Sequence, residues 1–299
     1  MYIDMYLYFL LCLVSLMYGS CYDLNTANTG VWLSGAAYCK KEEYPTMELS
    51  GPANGFQYYE TIYDKSTDLL GYTGINSNTQ EIFIVFRGSS SMKNWLDDAK
   101  VIQVPYTTFP ECNCKVHTGF YKSVQNVYQQ VHSSVNDILD VYPNYNIIVT
   151  GHSYGAAVAQ LVAMELLADD IVSTVYNYGQ PRIGNKEYAE FVNNVPIDMW
   201  RFTHYKDMIP HVPPITGLHY YHSCREVYED ENNNLRICSD TDGEDETCAD
   251  QFALYQTDTT DHHTYLEHDL DCSKSIQVQT NLHYIEHIQQ NIIYIWNMI

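Results

Sequence analysis

One short segment, residues 151–155 (GHSYG), constrains this chain more than any other, because it joins a strand-like run directly to a helix-like run. Residues 145–150 (YNIIVT) are mostly β-branched or aromatic, and residues 156–167 (AAVAQLVAMELL) are mostly strong helix formers. A Gly-x-Ser-x-Gly pattern in that position is typical of a sharp strand-to-helix turn that holds its serine strained and exposed. The flanking glycines are needed because the two elements pack closely. The segment predicts a reactive hydroxyl at Ser153.

The alternative is an ordinary glycine-rich turn with an inert serine, which would need no histidine or acid elsewhere in the chain. A serine is a weak nucleophile until a base removes its proton, and histidine suits that task because its unperturbed pKa is about 6.5. An acid must orient the histidine. Asp207 follows a strand-like run, and His262 and His263 come later, which is the order found in α/β hydrolases. Spacing alone does not separate His262 from His263.

Further segments alternate between strand and helix patterns. Their alternation predicts an α/β fold with a mostly parallel central sheet. The order of Ser153, Asp207 and the late histidines is that of the α/β-hydrolase fold, which has helices on both faces of such a sheet. No composition shift marks a second domain. The strand-like runs are 81–86, 145–150, 174–178 and 200–204, and the helical runs are 119–139, 156–167 and 186–192.

The charge balance excludes nucleic acid as a partner. The 299 residues include 37 acidic and 15 basic side chains, for a formal net charge of −22. Such a negative surface repels polyanions and disfavours an anionic bilayer. An apolar patch on the same protein would still bind a neutral lipid interface.

The amino terminus predicts secretion. Residues 5–17 (MYLYFLLCLVSLM) form an apolar run too short to span a membrane and suited to the core of a signal peptide. We expect residues 1–20 to be a signal peptide and residues 21–299 to form a single catalytic domain with no membrane span. Because the first residues carry Asp4 and no basic side chain, a buried core helix is the alternative.

Cysteine usage agrees with an oxidising compartment. Eight cysteines remain after cleavage near Cys21, and no CxxC pair occurs, so disulfides are favoured over zinc. The cluster His262, His263 and His268 is an alternative metal site, but it lacks the H-E-x-x-H spacing that sets two ligands on one helical face. We therefore expect no metal. Residues 281–299 repeat apolar side chains at helical spacing, which predicts a carboxyl-terminal helical extension.

Several ordered motifs resemble the class 3 lipases, the fungal triacylglycerol lipase type. The similarity extends over residues 33–272, and several motifs with similar gaps are more specific than the Ser153 pentapeptide alone. The motifs are residues 86–95 (FRGSSSMKNW), 116–120 (VHTGF), 151–155 (GHSYG), 178–185 (YGQPRIGN) and 207–214 (DMIPHVPP).

The resemblance assigns roles to individual residues. It implies Ser153 as nucleophile, Asp207 as acid and His262 as base, because His262 stands three residues before Tyr265, the position of the family's tyrosine. No cofactor is implied. The pairs Cys39–Cys272 and Cys238–Cys248 are implied as disulfides, whereas Cys21, Cys112, Cys114 and Cys224 have no counterpart in the family.

The resemblance also implies an oxyanion hole formed at Ser89 and Tyr154, and a short lid helix over residues 90–101. The sequence departs from the family in having Tyr154 where leucine is usual, which bears on the shape of the acyl pocket. An apolar lid favours a lipase over an esterase. The apolar lid residues are Met92, Trp95 and Leu96.

Together these features predict a secreted serine ester hydrolase that cleaves acylglycerol esters at a lipid–water interface. Carboxylesterase, feruloyl-esterase-like and phospholipase activities are alternatives that use the same triad. A non-catalytic lipid-binding protein is the alternative from another class, and the complete set of serine, acid and histidine counts against it.

Overall fold

An eight-stranded sheet forms the centre of the structure, a computed structural model that describes residues 22–89 and 101–277. The strands are β1 Phe56–Asp64, β2 Leu69–Asn76, β3 Glu81–Phe86, β4 Gln103–Pro105, β5 Lys115–His117, β6 Asn146–His152, β7 Thr174–Tyr178, β8 Asp198–His204, β9 Glu226–Glu229, β10 Leu235–Ile237, β11 Thr264–Tyr265 and β12 His268–Asp269. The helices are α1 Leu24–Ala36, α2 Thr118–Val141, α3 Tyr154–Ala168, α4 Lys186–Asn193 and α5 Cys272–Ser275.

The sheet has the order β1-β2-β3-β6-β7-β8-β9-β10. Strands β3, β6, β7, β8 and β9 run parallel, whereas β1, β2 and β10 are antiparallel to their neighbours. The prediction of a mostly parallel sheet is therefore confirmed. Because the carboxyl ends of parallel strands share one edge, the loops after β3, β6, β7 and β8 meet at that edge, where ligands bind in open α/β sheets.

Side chains of the central strands divide between two cores. In β3, Ile82, Ile84 and Phe86 point into the core beneath α2 and α3, whereas Phe83 and Val85 point into the core shared with α1. All of them are fully buried. A strand covered on both faces has apolar residues without alternation, which is the pattern that the sequence shows at 81–86.

Helix α2 follows the predicted apolar stripe. Phe120, Val124, Val131 and Ile138 are buried, and the helix ends at Val141 before the turn at 142–144. At the other end the His117 side chain is the N-cap, since its Nδ1 accepts from the amides of Gly119 and Phe120 at 3.0 and 3.4 Å.

Helix α1 was not predicted from the sequence. Its residues are buried on nearly every side and have little amphipathic periodicity, so the usual sequence pattern of a surface helix is weak. Its glycines permit close packing: a Cβ atom at Gly30 would lie 2.7 Å from the Tyr178 hydroxyl, and one at Gly35 would lie 2.4 Å from Ser275 Oγ. Strands β1, β2, β9 and β10 were also not predicted.

Three disulfides lie among the described residues. The implied pairs Cys39–Cys272 and Cys238–Cys248 are both present, so these two predictions are confirmed. Cys112 pairs with Cys114, and Cys224 is a buried free thiol. The first pair joins the segment after α1 to the start of α5.

Some predictions concern residues outside the described ranges. The signal peptide at 1–20, the lid residues Met92, Trp95 and Leu96, and the carboxyl-terminal extension from about 281 all lie there and stay predictions. Within the described residues, each helix is too short or too polar to cross a bilayer.

The double variant Cys39→Ser/Cys272→Ser is expected to lose about 2–5 kcal/mol of unfolding free energy, because the bond constrains a long loop in the unfolded chain. Its cysteines are 233 residues apart, whereas Cys112 and Cys114 are 2 apart. Urea unfolding of both double variants would check this, with Cys112→Ser/Cys114→Ser losing clearly less. Equal losses would contradict the loop-length argument.

His117 should make the protein sensitive to acid. Burial lowers the pKa of His117 to about 4, from about 6.5 in an unfolded chain. Between these two values the unfolded state binds the extra proton, so unfolding free energy falls as pH falls and levels off below about 4. His117→Asn keeps an N-cap acceptor and removes this titration, so its loss of stability from pH 7 to 4.5 should be smaller by about 2 kcal/mol. Parallel stability–pH curves for variant and wild type would contradict this assignment.

Candidate active site

Ser153 occupies the sharp turn between β6 and α3, with φ 58° and ψ −126°. This left-handed backbone is strained for a residue with a side chain, and such strain is typical of functional sites. The Ser153 amide donates to the carbonyl of Tyr178 at 2.9 Å, which ties the turn to the end of β7. The flanking glycines leave no room for a side chain. A Cβ atom would lie 2.5 Å from the backbone of Gly155 if placed on Gly151, and 2.3 Å from the Phe86 carbonyl oxygen if placed on Gly155.

A buried carboxylate and a buried imidazole lie at the same edge of the sheet. Nδ1 of His262 and Oδ2 of Asp207 are 2.7 Å apart, and both side chains are at most 1% exposed. The Tyr265 hydroxyl donates to the same oxygen of Asp207, and the amide of Ile209 donates to its Oδ1 at 2.8 Å. Because the pKa of Tyr265 is raised well above its usual value by burial and by the charge of Asp207, the phenol remains a donor.

Two hydrogen-bonding atoms in this region have no partner among the described residues. They are Oγ of Ser153 and Nε2 of His262, and both are buried. Since Nδ1 of His262 donates to a carboxylate, its Nε2 is an acceptor in the neutral ring. An unpaired hydroxyl and an unpaired imidazole acceptor are the groups that nucleophilic catalysis needs, and catalytic hydrogen bonds are often long without substrate.

The loop after β7 lies directly beneath the imidazole of His262. Gly179 has φ 57°, and a Cβ atom there would lie 2.7 Å from Cε1 of His262 and 2.6 Å from the hydroxyl of Tyr265. Glycine is therefore required at this position for the histidine to occupy its place.

The neighbouring histidines have different surroundings. His263 is exposed. His268 bonds through Nε2 to Ser275 Oγ at 2.9 Å, and its ring stacks on Trp32 with centroids 4.1 Å apart. Of the two candidates that spacing left open, it is His262 that contacts Asp207. His268, the third histidine of the alternative metal cluster, is held by its own structural contacts.

The residues predicted for an oxyanion hole belong to the two segments that meet at Ser153, the loop after β3 and the start of α3. Ser89 follows Gly88, where an added Cβ atom would lie 3.2 Å from Cβ of Ser153. Tyr154 begins α3. Its side chain is directed toward α2, where its hydroxyl donates to Ser123 Oγ at 2.5 Å. The large residue at this position is therefore accommodated by a polar contact with α2, and burial raises the pKa of Tyr154 to about 12.

Two residues at the site were not assigned a role from the sequence. The hydroxyl of Tyr38 lies 2.6 Å from Nδ1 of His152, and Nε2 of His152 lies 2.8 Å from the carbonyl oxygen of His262. Nothing in the local sequence around Tyr38 signals this contact, because its partner is 114 residues away. The position of His152 inside the pentapeptide was the one available signal.

A parallel sheet with a serine at a strained strand–helix turn, opposite a buried carboxylate–imidazole pair, defines an α/β hydrolase. Residues 83–217 match the family model described as Lipase (class 3). The chain belongs to the class 3 lipase family, as its motifs predicted.

Similar proteins are fungal. A lipase of Rhizomucor miehei is 34% identical over 211 residues, which is 68% of this chain and 56% of that protein. The secreted mono- and diacylglycerol lipase A of Penicillium cyclopium is 30% identical over 214 residues, 71% of this chain and 66% of that protein. The chain thus spans less than two thirds of either relative.

Solved structures cover more of the fold. The triacylglyceride lipase of Rhizomucor miehei superposes with a TM-score of 0.77 at 26% identity, over 85% of this chain and 98% of that chain. The mono- and diacylglycerol lipase of Aspergillus oryzae gives 0.74 at 26% identity, over 85% and 100%.

Tyr265→Phe is expected to lower the unfolding free energy by about 1.5–3 kcal/mol, because it removes a hydrogen bond to a buried carboxylate. Urea unfolding at neutral pH would measure the loss. The matched control is Tyr44→Phe, which removes a hydroxyl that donates to the neutral carbonyl of Ala37 at 2.6 Å. The control should lose about 0.5–1.5 kcal/mol. A loss no larger at Tyr265 than at Tyr44 would show that the charge of Asp207 adds nothing.

Proposed function

We propose that this protein is a secreted serine ester hydrolase that cleaves acylglycerol esters. The observation that supports it most is the 2.7 Å contact between Nδ1 of His262 and Oδ2 of Asp207, at the sheet edge where Ser153 occupies a strained turn. In this proposal Ser153 is the nucleophile, His262 the general base and Asp207 the group that orients the base.

In the first half-reaction Oγ of Ser153 attacks the ester carbonyl while Nε2 of His262 takes the hydroxyl proton. The tetrahedral intermediate then collapses, the acyl–oxygen bond breaks, and the departing alcohol receives the proton from His262. Asp207 remains ionised throughout and stabilises the imidazolium that forms transiently. The carboxylate accepts hydrogen bonds from three donors: the imidazole of His262, the hydroxyl of Tyr265 and the amide of Ile209. These donors support that role because they stabilise the carboxylate form.

The negative charge on the carbonyl oxygen needs donors that are in place beforehand. We assign them to the backbone amides of Ser89 and Tyr154. Tyr154 is the first residue of α3, and the first amides of a helix have no partners within the helix. Losing one such donor typically costs about 2.7–4 kcal/mol of transition-state stabilisation.

In the second half-reaction water attacks the acyl-enzyme. His262 takes a proton from the water, the acyl–serine bond breaks, and Ser153 receives the proton back, which releases the fatty acid. The chemistry uses side chains and backbone amides of this protein together with water, so the proposed mechanism includes no cofactor.

Acylglycerol is the proposed substrate class because the similar proteins are named as triacylglyceride lipase or as mono- and diacylglycerol lipase. A net charge of −22 favours such a neutral substrate over an anionic lipid surface. Secretion is supported by three disulfides among the described residues and by a relative that is named as secreted.

Labelling with a fluorophosphonate would test the proposal, because only an activated serine reacts readily with it. Peptide mass mapping should place the label on Ser153, and Ser153→Ala should abolish both labelling and hydrolysis of a glycerol ester. Ser66→Ala, which changes an exposed serine, serves as the control and should retain both. A label on a different residue, or glycerol-ester hydrolysis that survives Ser153→Ala, would refute the assignment.

A further inference from the structure

A short chain of hydrogen bonds lies behind the proposed base and is not used by the mechanism above. The hydroxyl of Tyr38 lies 2.6 Å from Nδ1 of His152, and Nε2 of His152 lies 2.8 Å from the carbonyl oxygen of His262. A carbonyl oxygen only accepts, so Nε2 of His152 must carry the hydrogen. In the neutral ring Nδ1 is then an acceptor, and the Tyr38 hydroxyl donates to it.

The same tyrosine also contacts the loop after β3. Its hydroxyl lies against Gly88, where an added Cβ atom would be 2.1 Å from the hydroxyl oxygen. Gly88 immediately precedes Ser89, one of the two proposed oxyanion donors. Contacts therefore run from Gly88, which packs against the Tyr38 hydroxyl, through the hydrogen bonds of Tyr38 and His152 to the backbone of His262.

We propose that Tyr38 and His152 are positioning residues that hold the oxyanion loop and the backbone of the base in fixed places on either side of Ser153. This inference rests on the proposed function, since it assumes that His262 is the base. Neither residue is assigned a role in proton transfer.

His152 cannot itself act as the base, because both of its ring nitrogens are engaged. Burial, with a smaller contribution from the charge of His262, also holds the pKa of His152 well below its usual value, so the ring stays neutral. A protonated ring would present Nδ1–H to the Tyr38 hydroxyl and would reverse the hydrogen bond. The low pKa therefore keeps the arrangement intact at neutral pH.

Two anchors fix His262 in different ways. Asp207 holds the imidazole through Nδ1, which sets the orientation of the ring. His152 holds the main chain through the carbonyl oxygen, which sets the distance of the whole residue from the turn. Because His152 is adjacent to Ser153 in sequence, the second anchor relates the nucleophile and the base directly. The ring centroids of His152 and His262 are 4.3 Å apart, so the two rings pack closely.

If this is correct, loss of the anchor should reduce kcat and leave KM nearly unchanged, because the acyl and alcohol parts of the substrate do not touch it in the proposed mechanism. A displacement of about 1 Å in a catalytic group can cost on the order of 100-fold in rate. We expect Tyr38→Phe and His152→Leu each to lower kcat roughly 10- to 100-fold.

The test compares these variants on a soluble short-chain ester, together with the rate of fluorophosphonate labelling. His152→Gln is the conservative variant, since its amide offers one donor to His262 and one acceptor to Tyr38, and it should restore most of the activity that His152→Leu loses. Tyr72→Phe is the matched control. It removes a buried hydroxyl that donates to the carbonyl of Leu33 at 2.7 Å, in the same core but outside the hydrogen-bond chain, and should leave kcat near wild type.

The double variant Tyr38→Phe/His152→Leu separates positioning from general destabilisation. If the two residues act through one chain, the double variant should lose little more activity than the worse single variant. Losses that multiply would overturn the proposal, as would a failure of His152→Gln to exceed His152→Leu, or a loss of kcat in Tyr72→Phe as large as that in Tyr38→Phe.

Failure of this inference is distinguishable from failure of the proposed function. If wild type is not labelled at Ser153, the proposed hydrolase mechanism fails and this inference fails with it. If wild type is labelled at Ser153 and Tyr38→Phe is labelled as fast as Tyr72→Phe, the hydrolase proposal stands and the positioning role alone is refuted.

Discussion

The buried hydrogen bond between Asp207 and His262 is the interaction on which the rest of the site depends. An isolated carboxylate in a protein interior is costly unless it is paired and hydrogen-bonded. Asp207 meets this requirement with donors from three separate segments: the imidazole of His262, the hydroxyl of Tyr265 and the amide of Ile209. The loop after β8, the turn at Asp261–His263 and the strand β11 are therefore held together by one charge.

A second buried network supports the loop that carries the acid. Arg182, 4% exposed, donates to both oxygens of Glu244 and to the carbonyl of His211, and it also contacts Asp250. His211 ends the short helix Ile209–His211, which begins two residues beyond Asp207. The backbone that presents the carboxylate is thus fixed by a guanidinium that pairs with Glu244 and Asp250, in the loop after β10. These two acidic side chains serve as partners of a buried cation.

Long periodic segments made much of the fold predictable, whereas contacts between distant residues did not. The apolar run of β3 and the stripe of α2 gave the correct elements within two residues, because the first is apolar throughout and the second repeats its apolar residues at helical spacing. Helix α1 was missed since it is buried on most sides and therefore lacks a clear stripe. At the site, residue types and their order gave Ser153, Asp207 and a choice of histidines, and the family's tyrosine selected His262. Tyr38 could not be found in this way, because its role depends on a partner 114 residues later that only the folded chain brings near.

The strain at Ser153 explains why so much of the surrounding structure is rigid. A non-glycine residue at positive φ costs about 1–3 kcal/mol and persists only when its neighbours over-determine it. Here the turn is held by the Ser153 amide bonded to Tyr178, by glycines at 151 and 155 that admit no side chain, and by strands packed on both faces. Tyr38 directly precedes Cys39, and the disulfide from Cys39 to Cys272 ties this segment to the chain that follows His262. The backbone of the nucleophile is thus fixed from several sides. Oγ of Ser153 has no hydrogen-bond partner among the described residues, and in the proposed mechanism the partner that it lacks is Nε2 of His262.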